Sequence, residues 1–147
     1  FSITAAIIMY PASMVADKNL KATLIVGIVG NGIVFLWFSL GTGALMMYIL
    51  NLLWAIPFVM YIGAERSIIV LVVSKETKGR ALGTYDLIMG VVGMVAQLFG
   101  AALWGFTDSL RFVYGLAGII VLVNSVGLIA ILMHIKLPKK TNELELL

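Results

Sequence analysis

The sequence predicts an all-α protein, a polytopic helix bundle that crosses a membrane several times. Of its 147 residues, 62% are hydrophobic and only 12% are charged, whereas a water-soluble domain carries about 25% charged residues. The apolar residues form continuous runs without period-two alternation, which excludes a transmembrane β-barrel. The same composition, with no cysteine, excludes a soluble globular domain, a disordered chain and a disulfide scaffold.

Charged and glycine-rich stretches divide the chain into five apolar segments. The first ends at the cluster that begins with Asp17. About 20 apolar residues cross the hydrocarbon core, so the long uncharged run that follows must break, and the glycines of residues 41–43 are the natural place. Polar links at 74–80 and 107–111 separate the remaining segments. The predicted spans are residues 1–16, 22–40, 45–73, 82–105 and 112–135, followed by a tail at 136–147.

Two of these spans have unusual lengths. The third, with about 29 residues, must tilt or protrude from a bilayer of ordinary thickness. The first rises only about 24 Å as a helix, which is short of a core of about 30 Å. Because it also opens on Phe1, we expect the chain to be a C-terminal piece of a longer protein.

Basic residues mark alternate boundaries of the spans. They cluster at 18–21, 75–80 and 136–140, whereas the intervening boundaries at 41–43 and 108–111 carry a single arginine. The positive-inside rule makes the basic side cytoplasmic. The tail is therefore expected in the cytoplasm and the protein in the plasma membrane.

Ionisable residues inside a span are costly and are functional candidates by default. Glu65 and Arg66 lie about two turns from the cytoplasmic end of the third span. Neighbouring residues point about 100° apart on a helix, so each needs its own partner. A structural or gating ion pair with another helix, snorkelling to the interface, and direct contact with a substrate or proton all remain open.

Asp86 and Gln97 are eleven residues apart and share one face of the fourth span. Small residues accompany them at Gly90, Gly93 and Gly100. This stripe indicates either close helix packing, with Gln97 bonded to a neighbouring helix, or the wall of a polar cavity. Asp86 also lies near a helix N-terminus, where a carboxylate is favoured without any function.

The other polar residues of the spans favour structural interpretations. Asn31 and Asn124 are predicted to bond neighbouring helices, and His134 is predicted to lie at the interface. Trp54 and Tyr61 lie deeper than an interfacial aromatic belt and are candidates for a cavity wall. No nucleotide-binding, hydrolase or zinc-protease motif occurs, and one histidine cannot build a histidine metal site. We therefore expect no enzyme activity, no cofactor, no metal and no nucleic-acid partner.

Three stretches resemble the major facilitator superfamily of secondary transporters. Residues 11–21 (PASMVADKNLK) resemble the loop motif of that family, residues 61–85 its tenth helix, cytoplasmic loop and the start of its eleventh, and residues 100–112 the turn into its twelfth. Ser13 stands where the loop motif usually has glycine. The resemblance implies helices 8 to 12 of a twelve-helix protein, which is part of the C-terminal six-helix bundle. Helices 2 to 6 fit less well.

The resemblance also implies roles for particular residues. Helices 8, 10 and 11 of the family line a central cavity, which promotes four residues as substrate contacts: Gln97, Tyr61, Trp54 and Tyr10. Glu65, Arg66 and Asp86 become candidates for a proton site or ion pair. The implied gating loop comprises Asp17, Lys18, Lys21, Lys78 and Gly79.

These observations predict a secondary transporter that moves a small solute by alternating access, with coupling to protons through Glu65 and Asp86. Its expected partners are the lipid bilayer, the solute and a missing N-terminal half. A membrane scaffold that assembles through its glycine stripes and a small membrane enzyme are the two alternatives. The enzyme would need convergent His, Asp or Ser groups near one interface.

Overall fold

The structure is a computed structural model that describes Ile7 and residues 19–41 and 43–134. Within residues 19–134 the chain forms four helices: α1 (Leu20–Leu40), α2 (Ala44–Val72), α3 (Lys78–Thr107) and α4 (Leu110–His134). The described residues contain no strand, so the predicted all-α class is confirmed. Each of the four helices is long and apolar enough to cross a membrane.

Helix ends differ from the hydropathy limits where polar residues continue or cap a helix. α1 begins at Leu20 because the Asn19 side chain accepts a hydrogen bond from the Ala22 backbone N–H at 3.1 Å. α3 begins at Lys78, four residues before the apolar run expected from residue 82. The first turn of α3 contains Lys78 and Arg80, so a hydropathy profile leaves it out of the span although its backbone is helical.

α1 lies at the centre of the described bundle, packed along α2 on one side and α4 on the other. Glycines permit the close approach. A Cβ atom added at Gly27 would lie 2.6 Å from the backbone nitrogen of Tyr61 on α2, and one added at Gly118 on α4 would lie 2.9 Å from that of Leu36 on α1. In membranes, where apolar surface gives helices no mutual preference over lipid, such approach favours association.

Two buried clusters form the core along this central helix. Leu24 of α1, Ala64 of α2 and Leu132 of α4 form the first. The second contains Val34 and Phe38 of α1 with Leu50 of α2. The first cluster joins α1 to both of its neighbours, and α4 takes part although it follows α1 by some seventy residues along the chain.

α3 is set apart from this core. It contacts α2 and α4 sparsely, and none of its 30 residues is buried. A Cβ atom added at Gly90 or Gly93 would meet nothing within 4 Å in the described part of the chain. Of the two interpretations of this stripe, close packing finds no partner at Gly90 or Gly93 among the described residues, and at Gly100 an added Cβ would lie 3.9 Å from Val113 of α4. Closer approach through glycine is found on α1 and α4 instead.

Candidate functional site

Five polar side chains meet where α2 and α3 run beside each other next to their connecting turn. Tyr61, Glu65 and Arg66 come from α2, and Tyr85 and Asp86 come from α3. The turn at residues 73–77 is short, so positions about ten residues before and after its midpoint lie at the same level. This geometry places an acidic and a basic residue of one helix opposite a tyrosine and an acid of the next.

Glu65 is held by phenolic hydroxyls. The Tyr61 hydroxyl, one turn earlier on α2, donates a hydrogen bond of 2.9 Å to Glu65 Oε1, and Tyr85 of α3 lies within interaction distance of the same carboxylate. The backbone of Tyr61 lies close to Gly27 of α1, where there is no room for a Cβ atom. Glu65 therefore has one hydrogen-bond donor from its own helix and a second phenol near it on the next helix.

Arg66 forms an ion pair between the helices. Its Nη2 donates to Asp86 Oδ1 at 3.0 Å, and the two side chains are 53% and 51% exposed. Of the interpretations left open for Arg66, the structure shows the ion pair with another helix. Glu65 lies outside that pair and, within the described residues, has no basic group within ion-pair distance.

The cluster as a whole carries one excess negative charge. Two carboxylates, Glu65 and Asp86, face one guanidinium, that of Arg66. A carboxylate at membrane depth is favoured when a proton or a cation neutralises it. Glu65 is half-buried and, among the described residues, accepts a hydrogen bond from the Tyr61 hydroxyl.

Trp54 lies apart from this cluster, in the interface between α1 and α2. Its Nε1 donates a hydrogen bond of 2.7 Å to Asn31 Oδ1, and its ring centroid lies 5.7 Å from that of Phe35 and 5.3 Å from that of Phe58. Seven residues, or about 10 Å of helix, separate Trp54 from Tyr61. Asn31 therefore bonds a neighbouring helix, as predicted.

Gln97 lies on the open face of α3. Its side chain is exposed and has no hydrogen bond to the described residues. Eleven residues, or about 16 Å of helix, separate it from Asp86. The structure thus leaves Gln97 on a surface that faces away from the packed core and does not join it to the cluster of α2 and α3.

Of the residues expected in the gating loop, Lys21, Lys78 and Gly79 are described by the structure. Asp17 and Lys18 lie outside the described residues, and so does the cavity candidate Tyr10. Lys21 donates a hydrogen bond from Nζ to the Leu132 carbonyl in the last turn of α4. The negative end of the helix dipole stabilises a cation at this position. Lys78 and Gly79 form the first residues of α3.

Asn124 and His134 bond only within their own helix in the described part. Asn124 donates to the Ile120 carbonyl at 2.8 Å, and His134 Nδ1 lies 2.8 Å from the Ala130 carbonyl at the end of α4. The bond to a neighbouring helix expected for Asn124 is absent from the described residues. Those residues also contain no group of three or more His, Cys, Asp and Glu placed to hold a metal ion.

Tyr85 is the member of the cluster that sequence reasoning missed. Tyr85 lies between Thr84 and Asp86 near the start of a span, where a tyrosine is usually interpreted as an interfacial aromatic anchor. The spacing could have predicted this contact. Glu65 and Tyr85 are equally far in sequence from Lys75, the midpoint of the turn, so they lie at the same level on the two helices.

Comparison with known proteins identifies the family. The family model described as Major Facilitator Superfamily matches residues 1–146. An uncharacterised MFS-type transporter of Methanocaldococcus jannaschii is 25% identical over 116 residues, which are 78% of this chain and 29% of that protein. The chain thus spans less than a third of the length of this relative. No solved structure matches the chain.

The family match covers nearly the whole chain and agrees with four helices of membrane-spanning length and composition. This multi-pass integral membrane protein therefore belongs to the Major Facilitator Superfamily.

Proposed function

We propose that this chain is part of a secondary transporter that moves a small solute by alternating access. Family membership and the membrane-length helices support transport rather than catalysis. The relative from Methanocaldococcus jannaschii is more than three times as long as the matched segment, which supports a transport unit containing further helices. Residues 1–135 then form part of one bundle, which rocks against a second, N-terminal one around a central site.

The observation that carries the proposal is Glu65, a carboxylate within a spanning helix whose described partners are hydroxyls. In the proposed cycle it takes up a proton on one side of the membrane and releases it on the other. The Arg66–Asp86 pair ties α2 to α3 and holds one conformation until the proton moves. In this proposal Glu65 transfers the proton, and the Arg66–Asp86 pair stabilises one conformation.

The solute is proposed to bind on the face that α3 leaves open. Gln97 supplies the main polar contact, because its amide both donates and accepts hydrogen bonds and is exposed on that helix. Tyr61, Trp54 and Tyr10 are the proposed aromatic contacts. The gating loop at Asp17, Lys18 and Lys21 works with Lys78 and Gly79 at the start of α3.

The basic link at 75–80 is proposed to face the cytoplasm. The tail at 136–147 then lies on the same side, and the protein resides in the plasma membrane. The non-transporting scaffold and the membrane enzyme remain the alternatives to this assignment.

The test of proton coupling uses the complete gene product that contains this chain, reconstituted in vesicles with an internal pH-sensitive dye. A panel of sugars, amino acids, organic anions and organic cations is added, and solute-evoked proton movement is recorded. Glu65→Gln is expected to abolish that movement while solute exchange at equal pH continues, because the amide keeps the hydrogen bonds and loses the titrating group. Glu76→Gln is the matched control, since Glu76 is an exposed glutamate in the turn.

Three results would contradict these proposals. Proton movement by Glu65→Gln equal to that of the unmodified protein would remove Glu65 from the coupling mechanism. Unchanged solute exchange by both Gln97→Ala and Asp86→Asn would remove the cavity assignment of α3. A complete protein that exchanges none of the solutes would favour the scaffold.

A further inference from the structure

A groove of about 500 Å³ lies between the last turns of α2 and the first turns of α3. Apolar side chains line both walls, with Ile69 and Val73 on α2 and Ala81 and Ile88 on α3. The groove is open along one side because α3 buries none of its residues. A concave apolar surface between two membrane-spanning helices is a place where a lipid acyl chain fits.

Positive charge marks the end of the groove that lies at the membrane boundary. Arg80 lines the groove itself, and Lys78 is the first residue of α3 beside it. The start of α3, at residues 78–84, carries these two basic residues and no acid. The charge at this end is therefore complementary to an anionic headgroup, and each basic residue near a membrane surface attracts anionic lipid.

The start of α3 lacks the groups that normally balance a helix N-terminus. Its first turn contains no acid, and no side chain caps its backbone N–H groups. The N-cap residue, Thr77, instead has its hydroxyl 2.8 Å from that of Ser74 and 3.2 Å from the Ser74 carbonyl. Lys78 and Arg80 add positive charge at the positive end of the helix dipole, which is unfavourable unless an anion is present.

The groove is long enough for the upper part of one acyl chain. From Arg80 at one end to Ile88 at the other, eight residues of helix extend about 12 Å. We propose that this groove binds an anionic phospholipid, whose phosphate lies at Arg80 and the first turn of α3 and whose acyl chain lies between Val73 and Ile88. This proposal does not rest on the proposed function, although Tyr85 lines both the groove and the cluster around Glu65.

The test measures lipid retention by native mass spectrometry of the complete gene product. Phosphatidylglycerol and phosphatidylcholine with identical oleoyl chains are the probes. The unmodified protein is expected to retain phosphatidylglycerol preferentially, and Arg80→Gln to weaken that retention about fivefold, the effect of one basic residue at a membrane surface. Arg111→Gln is the matched control, because Arg111 is an exposed arginine in the first turn of α4, beside the end of α3 that lies away from the groove.

A second variant tests the apolar part of the groove. Thr84 lines it and is exposed, so Thr84→Phe is expected to fill the groove without disturbing the packed core. Loss of phosphatidylglycerol retention in this variant, with an unchanged unfolding temperature, supports the site. An acyl-chain diazirine analogue of phosphatidylglycerol is expected to label the peptides that carry Val73 and Ile88.

Several outcomes would overturn the proposal. These are equal retention of the two lipids by the unmodified protein, equal losses in Arg80→Gln and Arg111→Gln, and labelling spread evenly over all helices. Displacement of the retained lipid by excess inorganic phosphate would show that the basic end binds a free anion, which also contradicts a lipid site.

Discussion

Asn31 and Asn124 make the same bond within their own helices, but only one of them reaches a neighbour. Each donates from Nδ2 to a carbonyl one turn earlier at 2.8 Å, Asn31 to Gly27 and Asn124 to Ile120. Asn31 is buried and also accepts from Trp54 on α2, whereas Asn124 is exposed on α4. A comparison of substitutions at these two positions therefore measures the contribution of the interhelical bond apart from the effect of an asparagine in a span.

Asn31→Leu is expected to destabilise the protein by about 1–2 kcal/mol, the upper range of interhelical hydrogen bonds in membranes, because Trp54 Nε1 loses its acceptor. Asn124→Leu is expected to leave the free energy of unfolding within about 0.5 kcal/mol, as for most surface substitutions. The measurement is equilibrium unfolding in mixed micelles, followed by Trp fluorescence and circular dichroism. Equal losses in the two variants would mean that the Trp54 bond contributes nothing.

At the scale of the helices, glycine decides which pairs pack closely. Gly118 of α4 lies against the backbone of α1, whereas Gly127 of the same helix has open space where a Cβ would stand. Gly118→Ala is expected to cost about 1–3 kcal/mol through overpacking. Gly127→Ala is expected to stabilise by up to about 1 kcal/mol, because alanine favours a helix.

Thermal unfolding in detergent compares these two variants directly. The unfolding temperature is expected to fall in Gly118→Ala and to hold or rise in Gly127→Ala. A rise in both would show that α1 and α4 do not approach each other as closely as the structure indicates.

The ion pair joins two helices that otherwise touch sparsely. Arg66→Gln and Asp86→Asn, alone and together, form a double-mutant cycle on the free energy of unfolding. We expect a favourable coupling of about 0.5–1 kcal/mol, in the upper part of the range for exposed pairs, since both side chains are half-exposed. Additive effects of the two substitutions would show that the charges do not interact.

Hydropathy predicts where helices form but not which helices meet. Long apolar runs leave a membrane-spanning helix as the only way to satisfy the backbone, and thus the four helices were foreseeable, with errors at ends such as Lys78 that lie in a charged first turn. α1 and α4 are apolar around most of their circumference, so no polar pattern marks the face that pairs. Only their glycines indicate it, and these do not name the partner.

The candidate site was foreseeable in its charges but not in its connections. Glu65, Arg66 and Asp86 stand out because charge inside an apolar run is rare and costly. Their pairing depends on the length of the turn between α2 and α3, and a tyrosine such as Tyr85 is indistinguishable from an apolar residue in a hydropathy pattern. The sequence therefore identifies the ionisable residues of the site, whereas their partners follow from the geometry of the turn.

At the scale of the whole molecule, the orientation in the membrane is directly testable because the chain contains no cysteine. Glu76 in the α2–α3 turn and Thr107 at the end of α3 are both exposed. In a cysteine-free background, Thr107→Cys is expected to react with a membrane-impermeant maleimide in intact cells. Glu76→Cys is expected to react only after permeabilisation, since basic segments stay in the cytoplasm.

The reverse pattern of labelling would invert the proposed topology. It would also place the groove at Arg80 in the outer leaflet, away from the anionic lipids of the cytoplasmic surface. Labelling of both positions in intact cells would mean that α3 does not cross the membrane.

The central place of α1 also sets the order in which the chain is assembled as it leaves the ribosome. α1 and α2 follow each other within three residues and can associate as soon as both are in the bilayer. The contact of α1 with α4 closes a loop of more than a hundred residues, from Lys21 to Leu132, and must await the last helix. Until α4 arrives, the surface around Gly32 and Leu36 that it covers is exposed to lipid or to an insertion chaperone. A synthesis arrest or truncation before Leu110 therefore leaves this side of α1 uncovered, and we expect quality-control proteases to recognise such a product.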